Sequence, residues 1–236
     1  MIPLRDNTGA SRAAPANLLL VAANIAIFVY ELQLGAAAES LLMRMGMIPS
    51  RVVHWVHQPQ YASVLSPPLT LVTSLFLHGG FLHIAGNMLY LFIFGAAVEA
   101  RMGHLRYLIF FIVAGIVSGV AMVVMDPGSR VPVVGASGAI AGVLGAYFIF
   151  FPRARITTVL PLFIFIELIQ IPAVVYLLLW FALQLYAGVE SRTAAHGAMM
   201  GGVAWWAHVG GFLFGVAAAP LIASRSSGRG QAIRRW

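Results

Sequence analysis

A serine in a glycine turn and a histidine in a second glycine-rich stretch are the residues of this chain best suited to chemistry. Ser137 lies in Gly135-Ala136-Ser137-Gly138, and His208 precedes Val209-Gly210-Gly211. A hydroxyl is a weak nucleophile until a neighbouring base removes its proton, and imidazole titrates near neutrality and suits that task. His83 and Asn87 are four residues apart, so on a helix they share a face. Both can donate hydrogen bonds to a developing oxyanion, usually the largest single contribution to acyl-transfer catalysis. The backbone N–H of Ser137, at the start of a helix, would join them with the helix dipole behind it. This set describes hydrolysis through an acylated serine, chemistry that needs no cofactor and no metal.

Other hydrolytic routes lack their residues. The chain has no Cys, which removes a thiol nucleophile, thiolate metal ligands and disulfides together. Asp6 and Asp126 are the only aspartates, and neither falls in an apolar run, so no aspartyl pair can form there. No His-Glu-x-x-His string marks a zinc site.

The elements that must position these residues belong in lipid. Of 236 residues, 61% are hydrophobic and 9% charged, with mean hydropathy +0.91. A soluble domain carries about 25% charged residues, so a water-facing surface cannot be built from this composition. The fold class implied is all-α, a polytopic bundle of six transmembrane helices. They are expected near Ala16–Leu34, Phe81–Val98, Tyr107–Met125, Ser137–Phe151, Leu160–Ala187 and Gly202–Ala223. Residues 1–15 read as a cytoplasmic tail, residues 16–223 as one membrane domain and residues 224–236 as a basic, disordered tail. Arg5 and Arg12 before the first apolar run, and Gly35 to Ala38 after it, resemble a secretory signal, but its length favours a retained helix. The loop of about residues 35–78, with His54, Trp55, His57, Tyr61 and the Pro67-Pro68 pair, reads as interfacial.

The net charge of +7 comes from Arg alone, since there is no Lys. The Arg residues are scattered between apolar runs, which suits anchoring against anionic headgroups rather than binding nucleic acid. With the N-terminus inside, inner segments hold Arg5, Arg12, Arg101, Arg106, Arg153, Arg155, Arg225, Arg229, Arg234 and Arg235; outer segments hold Arg44, Arg51, Arg130 and Arg192. That bias places both termini in the cytoplasm. The Arg-only, Ala- and Gly-rich usage points to a GC-rich bacterial genome and hence the inner membrane.

Depth then links the candidates. The segment Asp126 to Pro132 cannot continue a helix, and a helix of fifteen residues from Ser137 rises only ~22 Å against a hydrocarbon core of ~30 Å. The preceding loop must dip into the membrane, which is tolerated where protein or water satisfies its backbone, lowering Ser137 by roughly 8–10 Å. His208 lies six residues into the last helix, ~9 Å deep, and His83 and Asn87 lie ~3 and ~9 Å deep. Ala141 and Gly145 continue the face of Ser137; Gly211 and Gly215 continue that of His208 and form a close-packing Gly-x-x-x-Gly.

Taken in order, these motifs resemble the rhomboid family of intramembrane serine proteases over about residues 70–220. The resemblance rests on Gly135 to Gly138, on His83-Ile84-Ala85-Gly86-Asn87, on His208 with Gly211 and Gly215, and on Gly95-x-x-x-Glu99-x-x-x-Gly103, which in the family resembles a structural turn. It implies Ser137 as nucleophile, His208 as base, and His83, Asn87 and the Ser137 amide as oxyanion donors. Gly135, Gly138, Gly211, Gly215 and, near the mouth, His78 would be supporting residues. It further implies that helix five and the loop 188–201 act as gate and cap, and that single-pass membrane proteins are cut near their outer helix end. Two positions depart from the family pattern. Many members carry Tyr four residues after the nucleophile, where this chain has Ala141, so other contacts must hold His208. The Trp-Arg pair common in the first outer loop is absent.

Blander readings stand beside this one. Glu167 and Gln170 would be buried, hydrogen-bonded residues of helix five, since an exposed carboxylate is costly in lipid. His54, His57, His104 and His196 read as loop or interface residues, and Trp180, Trp205 and Trp206 as packing or interfacial aromatics. A non-catalytic relative that binds membrane helices would have no need of both Ser137 and His208. A small transporter is disfavoured because the polar groups cluster at one depth and no inverted repeat is visible.

Overall fold

The computed structural model describes residues 2–9, 14–58, 66–162, 165–191 and 204–223. In chain order they form β1 (Ile2–Asp6), α1 (Pro15–Leu34), α2 (Ala38–Met45), α3 (Pro49–His57), α4 (Thr70–Thr73), α5 (Phe81–Met102), α6 (His104–Met125), α7 (Ser137–Phe150), β2 (Arg155–Leu162), β3 (Phe165–Pro172), α8 (Ala173–Glu190) and α9 (Trp205–Ile222). Five helical segments among the described residues, including α1, α5, α6, α8 and α9, are long and apolar enough to cross a membrane; α7, with 14 residues, is shorter.

α7 is the axis of the bundle. Ala139, Ala141, Val143, Leu144, Ala146 and Tyr147 are fully buried on all its faces, the pattern of a helix surrounded by other helices. Its small residues let neighbours come close. A Cβ on Gly138 would strike the Ser118 hydroxyl of α6, one on Gly211 the carbonyl of Gly138, and one on Gly215 the carbonyl of Gly142. α9 thus packs on α7 backbone to backbone through Gly211 and Gly215, the contact of a Gly-x-x-x-Gly face. By contrast, Leu105, Ile109, Val113, Val120 and Val124 of α6 are exposed and follow helical spacing, the stripe that lipid would cover.

This contact yields a stability prediction. Gly215→Val would set its side chain against backbone atoms of Gly142 and Ala146 that have no rotamer with which to yield. The expected loss is about 3 kcal/mol, at the upper end of overpacking costs; denaturant titration in detergent checks it.

The Gly95, Glu99 and Gly103 element is a helix-docking device. Glu99 is 1% exposed and accepts the backbone N–H groups of Ala16 (3.1 Å) and Asn17 (2.7 Å). These are orphan donors in the first turn of α1, where a carboxylate also meets the positive end of the helix dipole. Gly95 admits the Asn17 side chain and the Tyr107 hydroxyl, and Tyr107 donates to Asn17 Oδ1 at 2.7 Å. Gly103, at φ +83°, turns the chain between α5 and α6.

Two expectations need correction. The helix expected over Leu160–Ala187 begins only at Ala173; the preceding stretch is a hairpin in which β2 pairs antiparallel with β3, from Arg155 opposite Pro172 to Leu162 opposite Phe165. Hydropathy cannot tell a buried helix from a strand in a continuous apolar run. Thr157, Thr158, Val159, Ile166, Ile169 and Ile171 are β-branched, and Pro161 and Pro172 oppose a helix. Glu167 therefore lies exposed on β3, with Gln170 on the same strand, rather than buried on a helix that faces the bundle. Part of the expected N-terminal tail, Ile2–Asp6, is also ordered: it pairs with β2 to complete a sheet of order β1-β2-β3. Asp6 accepts the Tyr147 hydroxyl (2.7 Å), tying the sheet to the far end of α7 from Ser137. His196, most of the expected cap at 188–201, Tyr61 and the tail 224–236 lie outside the described residues.

Candidate active site

The loop ahead of α7 enters the protein because its backbone finds partners there. Met47 and Val133 exchange N–H···O bonds of 3.1 and 2.7 Å, and the Gly135 N–H donates to the Ser74 carbonyl at 2.8 Å. Irregular backbone at membrane depth is tolerated when satisfied in this way. Gly135 has φ +114°, a conformation open to glycine, and a Cβ there would lie 2.6 Å from His83 Nε2. The residue is doubly constrained: it makes the turn that presents Ser137 as the first helical residue, and it leaves room for the ring beside it.

His208 stands in the first turn of α9, 9% exposed. Its Nε2 is 2.8 Å from Ser137 Oγ. The Gly138–Gly211 approach one turn further in makes this distance possible. When Nε2 accepts the hydroxyl proton, the imidazole carries its own proton on Nδ1. Nδ1 then donates to Gln184 Oε1 of α8, also at 2.8 Å. Ring contacts complete the setting, with centroids of Trp180 at 6.1 Å and Trp205 at 6.2 Å from His208. These are the side chains that surround the imidazole beside Ser137. A hydroxyl bonded to a neutral, oriented imidazole is the arrangement that generates an alkoxide-like nucleophile.

A cavity of about 610 Å³ opens above this pair. It is walled by α5 through Leu82, His83, Gly86, Asn87 and Tyr90, by α8 through Trp180 and Gln184, and by Pro132 to Val134 of the loop. Leu82 is 91% exposed at its edge. His83 and Asn87 both border the Gly135 backbone and line the same cavity as Ser137.

His78 is not at the mouth. It is 2% exposed, beneath Asn87, which donates Nδ2–H to His78 Nε2 at 3.0 Å. Burial, with His83 as a second influence, pushes the His78 pKa down to about 4. The ring therefore stays neutral near pH 7 and keeps a lone pair for Asn87. The His78 backbone N–H donates in turn to the Glu31 carboxylate of α1 at 3.1 Å. His78 meets the cavity wall through its bond to the Asn87 amide.

The structure thus brings Ser137, His208, His83 and Asn87 around one cavity, with Gly135, Gly138, Gly211 and Gly215 as the close contacts that allow it. Sequence reasoning missed Gln184 and took Trp180 as an ordinary packing aromatic. The signal for Gln184 was present: it is a lone polar side chain in an apolar span, a functional candidate by default.

Comparisons with known proteins agree with this architecture. The Rhomboid domain family model matches residues 67–225, more than half of the chain. The chain is 45% identical over 76 residues to rhomboid protease GluP of Bacillus subtilis (strain 168), covering 32% of this chain and 14% of that protein. It is 39% identical over 77 residues to RHOMBOID-like protein 5 of Arabidopsis thaliana, covering 32% and 25%. Against the mitochondrial presenilin-associated rhomboid-like protein of Homo sapiens it is 28% identical over 149 residues, covering 62% and 36%. These matches span between 14% and 36% of the relatives' own lengths. With its apolar helices, the chain is an integral multi-pass membrane protein, and it belongs to the rhomboid family, a family of intramembrane proteases.

Proposed function

We propose that the protein is an intramembrane serine endopeptidase in which Ser137 is the nucleophile and His208 the general base and acid. The observation that carries this reading is the 2.8 Å contact between Ser137 Oγ and His208 Nε2 at the floor of the cavity. Ser137 Oγ attacks the scissile carbonyl carbon while His208 Nε2 takes the hydroxyl proton. The carbonyl oxygen becomes an oxyanion, held by His83, Asn87 and the Ser137 N–H. The C–N bond then breaks as His208 returns the proton to the leaving amine, giving an acyl-serine. Water, deprotonated by the same imidazole, attacks the ester carbonyl; the ester C–O bond breaks as His208 returns that proton to Ser137 Oγ, releasing the carboxylic product and free Ser137.

The substrates of this reading are single-pass transmembrane proteins, since the cavity lies between lipid-facing helices and a lateral partner is a membrane helix. The Arg bias supports cytoplasmic termini, and the Arg-only, Ala- and Gly-rich usage supports a bacterial inner membrane; the family resemblance then implies a cut near the outer end of the substrate helix. A panel of single-span test substrates in liposomes containing the protein, with products sequenced, tests this. Cuts in the outer part of the spans are expected; intact substrates throughout would refute the proposal.

Asn87→Ala gives a sharper check on the oxyanion role. Loss of one oxyanion donor is expected to lower kcat on the order of 10²–10³-fold, with KM little changed, because the donor serves the transition state more than the bound substrate. Steady-state cleavage of one test substrate measures both constants.

A further inference from the structure

Gln184 is a buried polar side chain bonded to the dyad from a third helix. It is 8% exposed, in α8 between Leu183 and Leu185, and its Oε1 lies 2.8 Å from His208 Nδ1. An amide in an apolar span costs free energy unless it is hydrogen-bonded, and His208 is the partner the structure gives to its oxygen. The two ring nitrogens of His208 are thereby spoken for on opposite sides: Nε2 by Ser137, Nδ1 by Gln184. A neutral imidazole has one N–H, and the acceptor facing Nδ1 decides which nitrogen carries it. We propose that Gln184 is the positioning residue of this site: it holds the His208 proton on Nδ1, keeps Nε2 unprotonated and aimed at Ser137, and so serves as the third member of the relay.

Two features of the sequence fit that role. The position four residues after the nucleophile, where the family resemblance implies an aromatic against the base, is Ala141, fully buried. Orientation then falls to α8, which presents Gln184 and Trp180, one helical turn apart, to the same imidazole. The inner end of α8 is anchored independently by the Tyr90–Tyr176 hydroxyl pair at 2.7 Å, so the helix delivers Gln184 from a fixed base. A neutral amide differs in one respect from the carboxylate of a Ser-His-Asp relay: it sets the tautomer without adding charge against the imidazolium that forms during reaction.

The proposal rests on the serine-protease reading for its kinetic consequence, but its structural content can be read without cleavage. The experiment is ¹⁵N NMR of histidine-labelled full-length protein in micelles, with the His208 signals assigned by their loss in His208→Asn, alongside kinetics on a single-span test substrate. Wild type is expected to show His208 protonated on Nδ1. Gln184→Leu, similar in volume but with no acceptor, should give a mixture of tautomers and a kcat lower by roughly ten- to a hundredfold, less than the roughly 10²–10⁴-fold that the general base itself supplies, with KM unchanged. Gln184→Glu, which restores an acceptor, should recover the Nδ1-protonated signal and most of kcat. His208 protonated on Nε2 in wild type overturns the proposal even if every variant misfolds. So does a Gln184→Leu protein with unaltered tautomer and kcat, or a Gln184→Glu protein as impaired in both as Gln184→Leu. If wild type cleaves nothing yet shows the Nδ1 tautomer, lost in Gln184→Leu, the positioning role stands and the protease reading alone fails.

Discussion

Ser137→Ala is expected to abolish cleavage of single-span substrates, lowering kcat on the order of 10⁶-fold, the loss seen when a serine protease is deprived of its nucleophile. The substitution removes one oxygen from a half-buried position at the head of α7. Alanine is a good helix former, and Ser137 makes no side-chain bond other than that to His208 among the described residues. The fold should therefore survive, with the unfolding midpoint in detergent shifted little. Substrate should still enter the cavity, because its walls on α5 and α8 are untouched. The expected combination is a folded protein that binds a single-span substrate without cutting it, checked by cleavage assay beside co-purification of uncut substrate. A Ser137→Ala protein that still produces fragments would assign the nucleophile elsewhere.

His208→Ala should cost nearly as much, and the double variant Ser137→Ala/His208→Ala should be no worse than either alone. Groups that act in one step are non-additive, because the second deletion has nothing left to remove. The variant differs in stability, however. His208 is 9% exposed and links Ser137 of α7 to Gln184 of α8. Truncating it leaves the Gln184 oxygen buried without that partner, a penalty of about 1–3 kcal/mol. His208→Ala should then unfold earlier than Ser137→Ala while matching it in inactivity. Single-turnover cleavage rates for the three variants, with their unfolding curves, check both halves. Independent, multiplying losses would mean that the two residues do not share a step.

How much of this was legible in the sequence depends on whether a feature is local or made by packing. Ser137 and His208 could be paired without coordinates because each sits a countable number of residues from a membrane surface, and depth is a one-dimensional quantity that helix rise supplies. The face shared by Gly211 and Gly215 was legible for the same reason: spacing along a helix determines direction. Gln184 was not paired with His208, because their contact joins two helices and spacing along either one does not supply it. The helix carrying Gln184 was also begun too early, at Leu160 instead of Ala173. The source of that early start is the run from Arg155 to Pro172, where β-branched residues and prolines favour a hairpin but average hydropathy does not register them. His78 was placed at the mouth by its position before α5, whereas it is buried among partners that include Phe28 and Glu31 of α1, distant in sequence. Asp6 was assigned to a tail because five residues of strand carry no signal until β2 offers them an edge. In each case the missing information was a partner contributed by another element.

The central claim, that Ser137 is made nucleophilic by His208, is tested most directly by reacting the detergent-solubilised protein with a serine-directed fluorophosphonate and locating the adduct by peptide mass spectrometry. The predicted result is one adduct, on Ser137, formed by the intact protein and lost in His208→Ala. An unlabelled folded wild type, or labelling of Ser137 that proceeds equally well without His208, would contradict it.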